Sequence, residues 1–458
     1  MAEIKATIGM IGLGVMGRNL LLNMVDHGFT VAGYDRDPEK VSALAKEGDE
    51  KWVSAQKTLG RFIACLEKPR KIMLLVPAGA PVDAVIEELL PNLEPGDLII
   101  DGGNSYFEDT ARRYRTLVDQ GLSFLGVGVS GGEDGARRGP SLMPGGSSDA
   151  YPLVRPLFEK IAAKVDDAPC VTWLGPGAAG HYVKMVHNGI EYGLMQLIAE
   201  SYDLMRRGFG FNNRRLQEIF RQWNRGALNS FLLEITADIF AQRDERTGQD
   251  LIDVILDVAR QKGTGMWTTQ SAMSLQVPIP VIDMAVMMRD LSGFKTEREL
   301  AARALNVPVD PFPGNPEDLL VALEHALLAA MLLTYIQGMN MLKKASEAHE
   351  YGLNMAEVAR IWRGGCIIRA AMLNDLRDAY LTQPGLANLL LDRSLVQQVT
   401  AWQKDLRRVL SFSVQLGIPT PALMAALAYF DSFRSGWLPT NLIQAQRDYF
   451  GAHTYERI

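Results

Sequence analysis

The sequence is short of cysteine, of surplus positive charge and of clustered metal ligands. Three cysteines occur in 458 residues, Cys65, Cys170 and Cys366, far apart and odd in number. That excludes a disulfide framework and shows no zinc-type spacing, which fits a reducing cytoplasmic compartment. No His/Asp/Glu cluster has metal-ligand spacing either, so no metal is expected. Lys and Arg number 47 against 53 Asp and Glu, a formal net charge of −6. No basic field therefore points to nucleic acid or to an anionic membrane, and an anionic ligand must be met by individual cations. The N-terminal Met-Ala-Glu-Ile-Lys runs straight into a strand-like segment, so no signal peptide is read. No uninterrupted apolar run is read as long enough to span a bilayer. Hydrophobic content of 47% with 22% charged residues is that of an ordinary soluble globular protein, and the length suggests two or three domains.

What the chain does have is glycine in a telling place. Thr7 to Ile11 is a short apolar, β-branched run. It leads into Gly12-Leu13-Gly14-Val15-Met16-Gly17, and Asn19 to Val25 reads as a helix. This is G-x-G-x-x-G in the strand–turn–helix context that a dinucleotide-binding fingerprint requires. The first glycine makes the tight turn, the second lets backbone approach a pyrophosphate, and the third lets helix pack on strand. The helix N-terminus adds amide donors for the phosphates. A second strand, Thr30 to Tyr34, ends at Asp35, an acid placed to accept from the ribose 2′-hydroxyl of NAD. The competing reading is a glycine turn without a ligand, which this context disfavours.

Strands and helices then alternate: Lys71 to Val76, Pro81 to Leu90, Asp97 to Asp101, Phe107 to Gln120 and Leu122 to Val129. Such alternation means βαβ units and a parallel sheet. Two loops follow strand ends, where open α/β sheets bind ligands. One is Asp101-Gly-Gly-Asn104-Ser105. The other is Val129-Ser130-Gly131-Gly132-Glu133, continuing as a small-residue loop from Gly135 to Gly146. That loop is either a lid or surface excursion, or a place where a substrate carboxylate or hydroxyl meets backbone amides and the Ser130 hydroxyl.

From about Ala179 to Ser435 helical periodicity dominates. Phe220 to Gly226 echoes Arg360 to Gly365, each around a tryptophan after a long helix, which reads as a duplicated helical unit. The fold class expected is an α/β Rossmann-type dinucleotide-binding domain over residues 1–178, then a large all-α domain over 179–436 with that internal duplication. A short C-terminal tail, 437–458, follows.

One helix in this region carries polar chemistry. Lys184, His187, Asn188 and Glu191 fall at i, i+3, i+4 and i+7, which stacks them on one face. They suit the lining of a polar pocket, although exposed charged stripes are also common. Leu194, Met195, Leu197 and Ile198 continue as an apolar stretch that should be buried. Lys262-Gly-Thr264-Gly-Met266-Trp267 is a glycine-rich turn able to hold a phosphate, without Walker A spacing. Arg289, among methionines, implies partial burial beside an anion, or a structural pair with Asp290 or another carboxylate.

Taken in order, Gly12–Gly17, Asp101–Ser105, Val129–Glu133, Lys184–Tyr192, Lys262–Trp267 and Arg447-Asp-Tyr-Phe-Gly-Ala-His453-Thr-Tyr-Glu456 closely resemble the decarboxylating 6-phosphogluconate dehydrogenases of the pentose phosphate pathway. The resemblance covers nearly the whole chain. It implies that Ser130, Gly131, Gly132, His187 and Asn188 meet the substrate carboxylate and hydroxyls. Tyr192, Lys262, Thr264 and Arg289 would meet its phosphate. Arg447 and His453 would come from the partner subunit of a homodimer that exchanges C-terminal segments. Lys184 would be the general base, Glu191 the general acid, and Asn104 would lie near the nicotinamide.

The sequence departs from the family pattern in four places. Where NADP users read Asn-Arg-Thr or Asn-Arg-Ser, this chain has Asp35-Arg36-Asp37. A lysine common in the family's Val-Lys-Ala is Pro77 in Val76-Pro77-Ala78. Two carboxylates gained and one cation lost near a 2′-phosphate lead us to expect NAD rather than NADP. Met266 replaces a frequent lysine at a variable position, and the chain stops at Ile458, where many relatives carry a longer tail. Two other readings compete: a related dehydrogenase acting on another β-hydroxyacid, and a non-catalytic dinucleotide-binding scaffold. Lys262, Arg289 and Arg447 weigh against the first, and the joint presence of Lys184 and Glu191 against the second.

Overall fold

Short, mostly apolar runs become the strands of one seven-stranded sheet. A computed structural model describes residues 5–49, 51–305, 312 and 314–458. The strands are β1 (Ile8–Ile11), β2 (Val31–Tyr34), β3 (Val53–Gln56), β4 (Lys71–Leu74), β5 (Leu98–Asp101), β6 (Ser123–Ser130) and β7 (Ser141–Gly146). Their order is β3-β2-β1-β4-β5-β6-β7. The first six are parallel, and β7 runs antiparallel to β6. Helices α1 (Val15–Asp26), α2 (Pro38–Glu47), α3 (Leu59–Ala64), α4 (Ala80–Leu89), α5 (Phe107–Val118), α6 (Gly132–Arg138) and α7 (Tyr151–Ile161) fill the connections. The strand order reverses between β1 and β4, which opens a crevice at the carboxyl ends of the strands.

Two parts of this sheet depart from the sequence expectation. Residues 135–146, read as one loop, are the end of α6 followed by strand β7. Pairing with β6 from Ser130↔Ser141 to Leu125↔Gly146 satisfies their backbone groups. The small residues serve packing: a Cβ on Gly145 would lie 2.2 Å from Gly180 N. The sequence expectation places no element between Asp35 and Lys71, yet α2, β3 and α3 lie there, α2 capped by Asp37 ahead of Pro38. β3 is a half-exposed edge strand, Val-Ser-Ala-Gln, with too little apolar character to announce itself.

After a two-stranded ribbon, Lys164–Val165 paired with Ala168–Pro169, the chain is mainly helical. It comprises α8 (Ala179–Asp203), α9 (Asn213–Trp223), α10 (Phe231–Ile239), α11 (Leu251–Val254), α12 (Thr264–Ser274), α13 (Pro280–Gly293) and α14 (Lys295–Leu305). Then come α15 (Leu320–Ala348), α16 (Met355–Ile361), α17 (Leu373–Thr382), α18 (Arg393–Gln415), α19 (Pro421–Phe433) and α20 (Thr440–Gly451). The two long helices α8 and α15 cross closely where side chains are smallest. A Cβ on Gly338 of α15 would meet Ile190 Cδ1 at 2.4 Å.

The expected absence of a membrane-length apolar run is corrected here. Pro316–Ala348 is long enough, and an 18-residue window within it is apolar enough, with a mean hydropathy of 2.0. In the fold 78% of that window is buried, because α15 is the central helix on which its neighbours pack. The two tryptophan turns match in structure. Asn212 caps α9 and Asn354 caps α16, each helix following a long one and running into a buried tryptophan, Trp223 and Trp362. The turns then pair with each other, Phe231 N donating to Arg369 O and Ala371 N to Asn229 O.

Candidate active site

The first half of the site lies over β1 and β2. Gly12 has φ +98°, and a Cβ on Gly17 would sit 1.9 Å from Gly12 O, so turn and helix both require glycine. A Cβ on Gly14 would meet nothing within 4 Å, leaving its backbone open to a ligand. Leu13 N donates to Asp35 Oδ2 at 2.8 Å, so the acid ending β2 braces the turn. Its other oxygen accepts from Asp37 N, and Asp37 in turn caps α2 through Glu39 N. Val15 is exposed, Met16 half-buried, and both open α1. A cleft of about 380 Å³, within the usual range for small-molecule sites, is lined by Gly12, Gly14, Asp35, Arg36, Val76 and Pro77 among others. Ala78 follows on the exposed stretch before α4. Lys40 and Glu88, which the sequence did not single out, also line it.

Loops after β5 and β6 form the floor. Buried Asp101 accepts from Gly103 N and from Ser105 Oγ at 2.6 Å, fixing the turn that leaves Asn104 exposed. Ser130 is buried at the end of β6, while Gly131 (φ +110°) and Gly132 (φ +63°) turn the chain into α6.

Helix α8 docks against this floor because glycine faces it. A Cβ on Gly128 would lie 2.5 Å from Lys184 Cβ, and one on Gly180 would lie 2.3 Å from Gly126 O. The stripe read from the sequence is thereby turned inward, with Lys184 and His187 buried and Asn188 and Glu191 half-buried. Lys184 is 6% exposed, His187 0%, and the Glu191 side chain 22%. His187 Nε2 lies 3.2 Å from Ser130 Oγ and its Nδ1 3.1 Å from Asn188 Oδ1. An Nδ1–H donating to the amide oxygen leaves Nε2 to accept the serine hydroxyl, so a neutral imidazole bridges helix and loop. Burial, then the nearby Lys184, pulls its pKa well below the ordinary histidine value. Burial likewise lowers Lys184, opposed by Glu191 and Cys366. Burial raises Glu191, opposed by Lys184 and Arg289. A buried amine and a half-buried carboxyl on one stripe thus have their pKa values pushed toward each other. In the continuation Leu194, Leu197 and Ile198 are buried, whereas Met195 is exposed at the site's rim.

A cationic cluster closes the other end of the stripe. Gly263 (φ +97°) opens α12 with no side-chain cap, so its first amides are available to an anion. Thr264 is buried there and Lys262 is exposed just before it. A Cβ on Gly265 would strike the Tyr192 ring at 2.4 Å, and Tyr182 Oη meets Ser271 Oγ at 2.7 Å, so α12 lies tight on α8. Arg289 Cζ stands 3.4 Å over the centre of the Tyr192 ring. Asp290 instead accepts from Gln261, and the carboxylate acting on Arg289 is Glu191. Val281 N donates to buried Gln337, which fixes the start of α13 and hence Arg289.

Arg447 and His453 are not drawn into this cluster within the chain. Both are exposed, Arg447 bonding to Gln444 and His453 packing on Phe450. Sequence reasoning missed Trp362, whose ring meets His187 edge-on at 5.7 Å, and Cys366, a buried thiol beside Lys184. Trp362 was visible only through the tryptophan echo, and Cys366 carried no signal.

Comparison with known proteins agrees with this layout. Residues 7–175 match the NAD binding domain of 6-phosphogluconate dehydrogenase, and residues 180–458 match the 6-phosphogluconate dehydrogenase C-terminal domain. The chain is 52% identical over 454 residues to the NADP(+)-dependent, decarboxylating 6-phosphogluconate dehydrogenase of Bacillus subtilis, covering 99% of this chain and 97% of that one. It is 49% identical over 455 residues to the decarboxylating enzyme of Escherichia coli, at the same coverages. A solved 6-phosphogluconate dehydrogenase of Plasmodium falciparum superposes with a TM-score of 0.95 at 45% identity, covering 98% of this chain and 97% of that one. With about half its residues shared end to end and both halves matched to one enzyme, the chain belongs to the decarboxylating 6-phosphogluconate dehydrogenase family.

Proposed function

We propose that the protein converts 6-phosphogluconate to ribulose 5-phosphate and CO2 with reduction of NAD, in the cytoplasm, as a homodimer exchanging C-terminal segments. The observation that carries this is the inward-facing Lys184–Glu191 stripe running from Ser130 to the Arg289–Thr264 cluster. Neutral Lys184 takes the proton of the substrate's C3 hydroxyl. A dinucleotide held by the Gly12–Gly17 turn and Asp35 would supply the hydride acceptor for C3. The new Lys184 ammonium then gives its proton to the C3 oxygen as the C1–C2 bond breaks and CO2 departs, leaving an enediol. Glu191 protonates C1 of that enediol while Lys184 takes the hydroxyl proton back. Ser130, Gly131, Gly132, His187 and Asn188 hold the carboxylate end, and Tyr192, Lys262, Thr264 and Arg289 hold the phosphate. The partner's Arg447 and His453 complete the pocket, and Asn104 faces the nicotinamide. Residues 1–178, 179–436 and 437–458 act as cofactor domain, substrate and dimerisation domain, and exchanged tail.

The NAD preference sets this chain apart from the NADP(+)-dependent Bacillus subtilis relative. It is supported by Asp35 and Asp37 at the end of β2 and by Pro77 in the cleft wall. Mixing protein, 6-phosphogluconate and either cofactor, and reading reduced cofactor together with CO2, tests the whole reading. Reduced cofactor without CO2 points to another β-hydroxyacid, and no turnover with binding intact points to a scaffold. A kcat/KM favouring NADP by tenfold or more refutes the NAD preference.

A further inference from the structure

The adenosine end of the cleft is rimmed by two cations, Arg36 and Lys40, and neither stands alone. Lys40 Nζ lies 3.7 Å from Asp35 and 3.9 Å from Asp37. Arg36 pairs with Glu88, which projects from α4. Glu88 reaches the rim by helical spacing. Pro81, Val85 and Glu88 fall at i, i+4 and i+7 on α4, and all three line the cleft. Glu87, the next residue on the helix, is exposed and lies off that face. A 2′-phosphate brings close to two negative charges and needs a cation free to receive them. Here the one guanidinium among the described residues lining the cleft, Arg36, is already held by a carboxylate that itself borders it.

We propose that Glu88 is a specificity-determining residue: by holding Arg36 at the cleft rim it selects a dinucleotide with a free ribose 2′-hydroxyl over one with a 2′-phosphate. This deepens the NAD reading above. Its effect is a difference between variants, so it is measurable whichever cofactor the parent prefers. As a stability element the pair counts for little, since the Arg36 and Glu88 side chains are 63% and 46% exposed. Glu88→Gln should therefore fold as the parent does.

The experiment measures kcat and KM for NAD and NADP at saturating 6-phosphogluconate with full-length parent, Glu88→Gln, Glu87→Gln, Arg36→Ala and the Arg36→Ala/Glu88→Gln double variant. The expected result is a rise of about five- to tenfold in the NADP-to-NAD ratio of kcat/KM for Glu88→Gln, carried by a lower KM for NADP. Glu87→Gln, which makes the same change in net charge, should move the ratio less than twofold. The Glu88→Gln gain should vanish in the Arg36→Ala background. Equal gains from Glu87→Gln and Glu88→Gln overturn the proposal. So does a gain that survives without Arg36, because the carboxylate would then act by plain repulsion. A parent that prefers NADP sinks the NAD reading alone; loss of the Glu88-specific gain sinks the present proposal alone.

Discussion

Lys184 and Glu191 stand at the two ends of one inward-facing stripe on α8, and burial drives their pKa values toward each other. The lysine falls from its ordinary range and the glutamate rises from its own, each restrained by the other's charge. An amine that is neutral and a carboxyl that is protonated in the same pH window are what successive proton removal and delivery require.

Replacing Lys184 with Met keeps the stem's packing against Gly128 and removes the base. We expect kcat to fall by about 10³-fold with substrate affinity by calorimetry changed only a few-fold. A kcat within a few-fold of the parent excludes Lys184 as the base.

The pH profile of kcat/KM should rise as the Lys184 ammonium loses its proton and fall as Glu191 ionises. Glu191→Gln should lower turnover by roughly 10²–10⁴-fold and remove the alkaline limb. The acid limb should stay in place, because a protonated Glu191 carries no charge to support the ammonium there. An alkaline limb that survives would separate Glu191 from proton delivery.

Arg289→Ala should raise KM for 6-phosphogluconate about 10- to 100-fold, the range for losing a hydrogen bond to a charged group. Slow turnover of unphosphorylated gluconate should change less than about threefold. Equal losses on both substrates would remove Arg289 from phosphate binding.

Mixing inactive Lys184→Met and Arg447→Ala subunits tests tail exchange. If each site takes its lysine from one subunit and its arginine from the other, random re-pairing restores about a quarter of parental activity. No recovery after verified subunit exchange would return Arg447 to its own chain.

Glu200, at the far end of α8, is 3% exposed and accepts from Ala422 N and Leu423 N at the start of α19. Burial pushes its carboxyl up to about 7. A raised folded-state value favours the protonated fold, so this contribution is full below about pH 4.5 and fades as pH rises through about 7. Glu200→Gln should melt below the parent at pH 5, having lost one acceptor. The gap should narrow toward pH 8. A gap constant with pH would rule out titration of Glu200 in this range.

Much of this was written locally. The Gly12–Gly17 turn and the alternation leading to Asp101 and Ser130 depend on backbone permissiveness and near-neighbour periodicity. So does the one-face placement of Lys184, His187, Asn188 and Glu191. The chain carries such information within a few residues. Burial, reversal and pairing between distant segments were decided by the tertiary structure alone. Residues 141–146 became a strand because β6 offered an open edge beside glycines of α8. The Lys184 stripe became a buried site because Gly128 and Gly180 let α8 close on the sheet. The apolar Pro316–Ala348 run became a core helix because its neighbours surround it. Arg36 was committed to Glu88 by the way α4 lies along the cleft. Each depends on which surfaces meet, a property of packing that no spacing along the chain encodes.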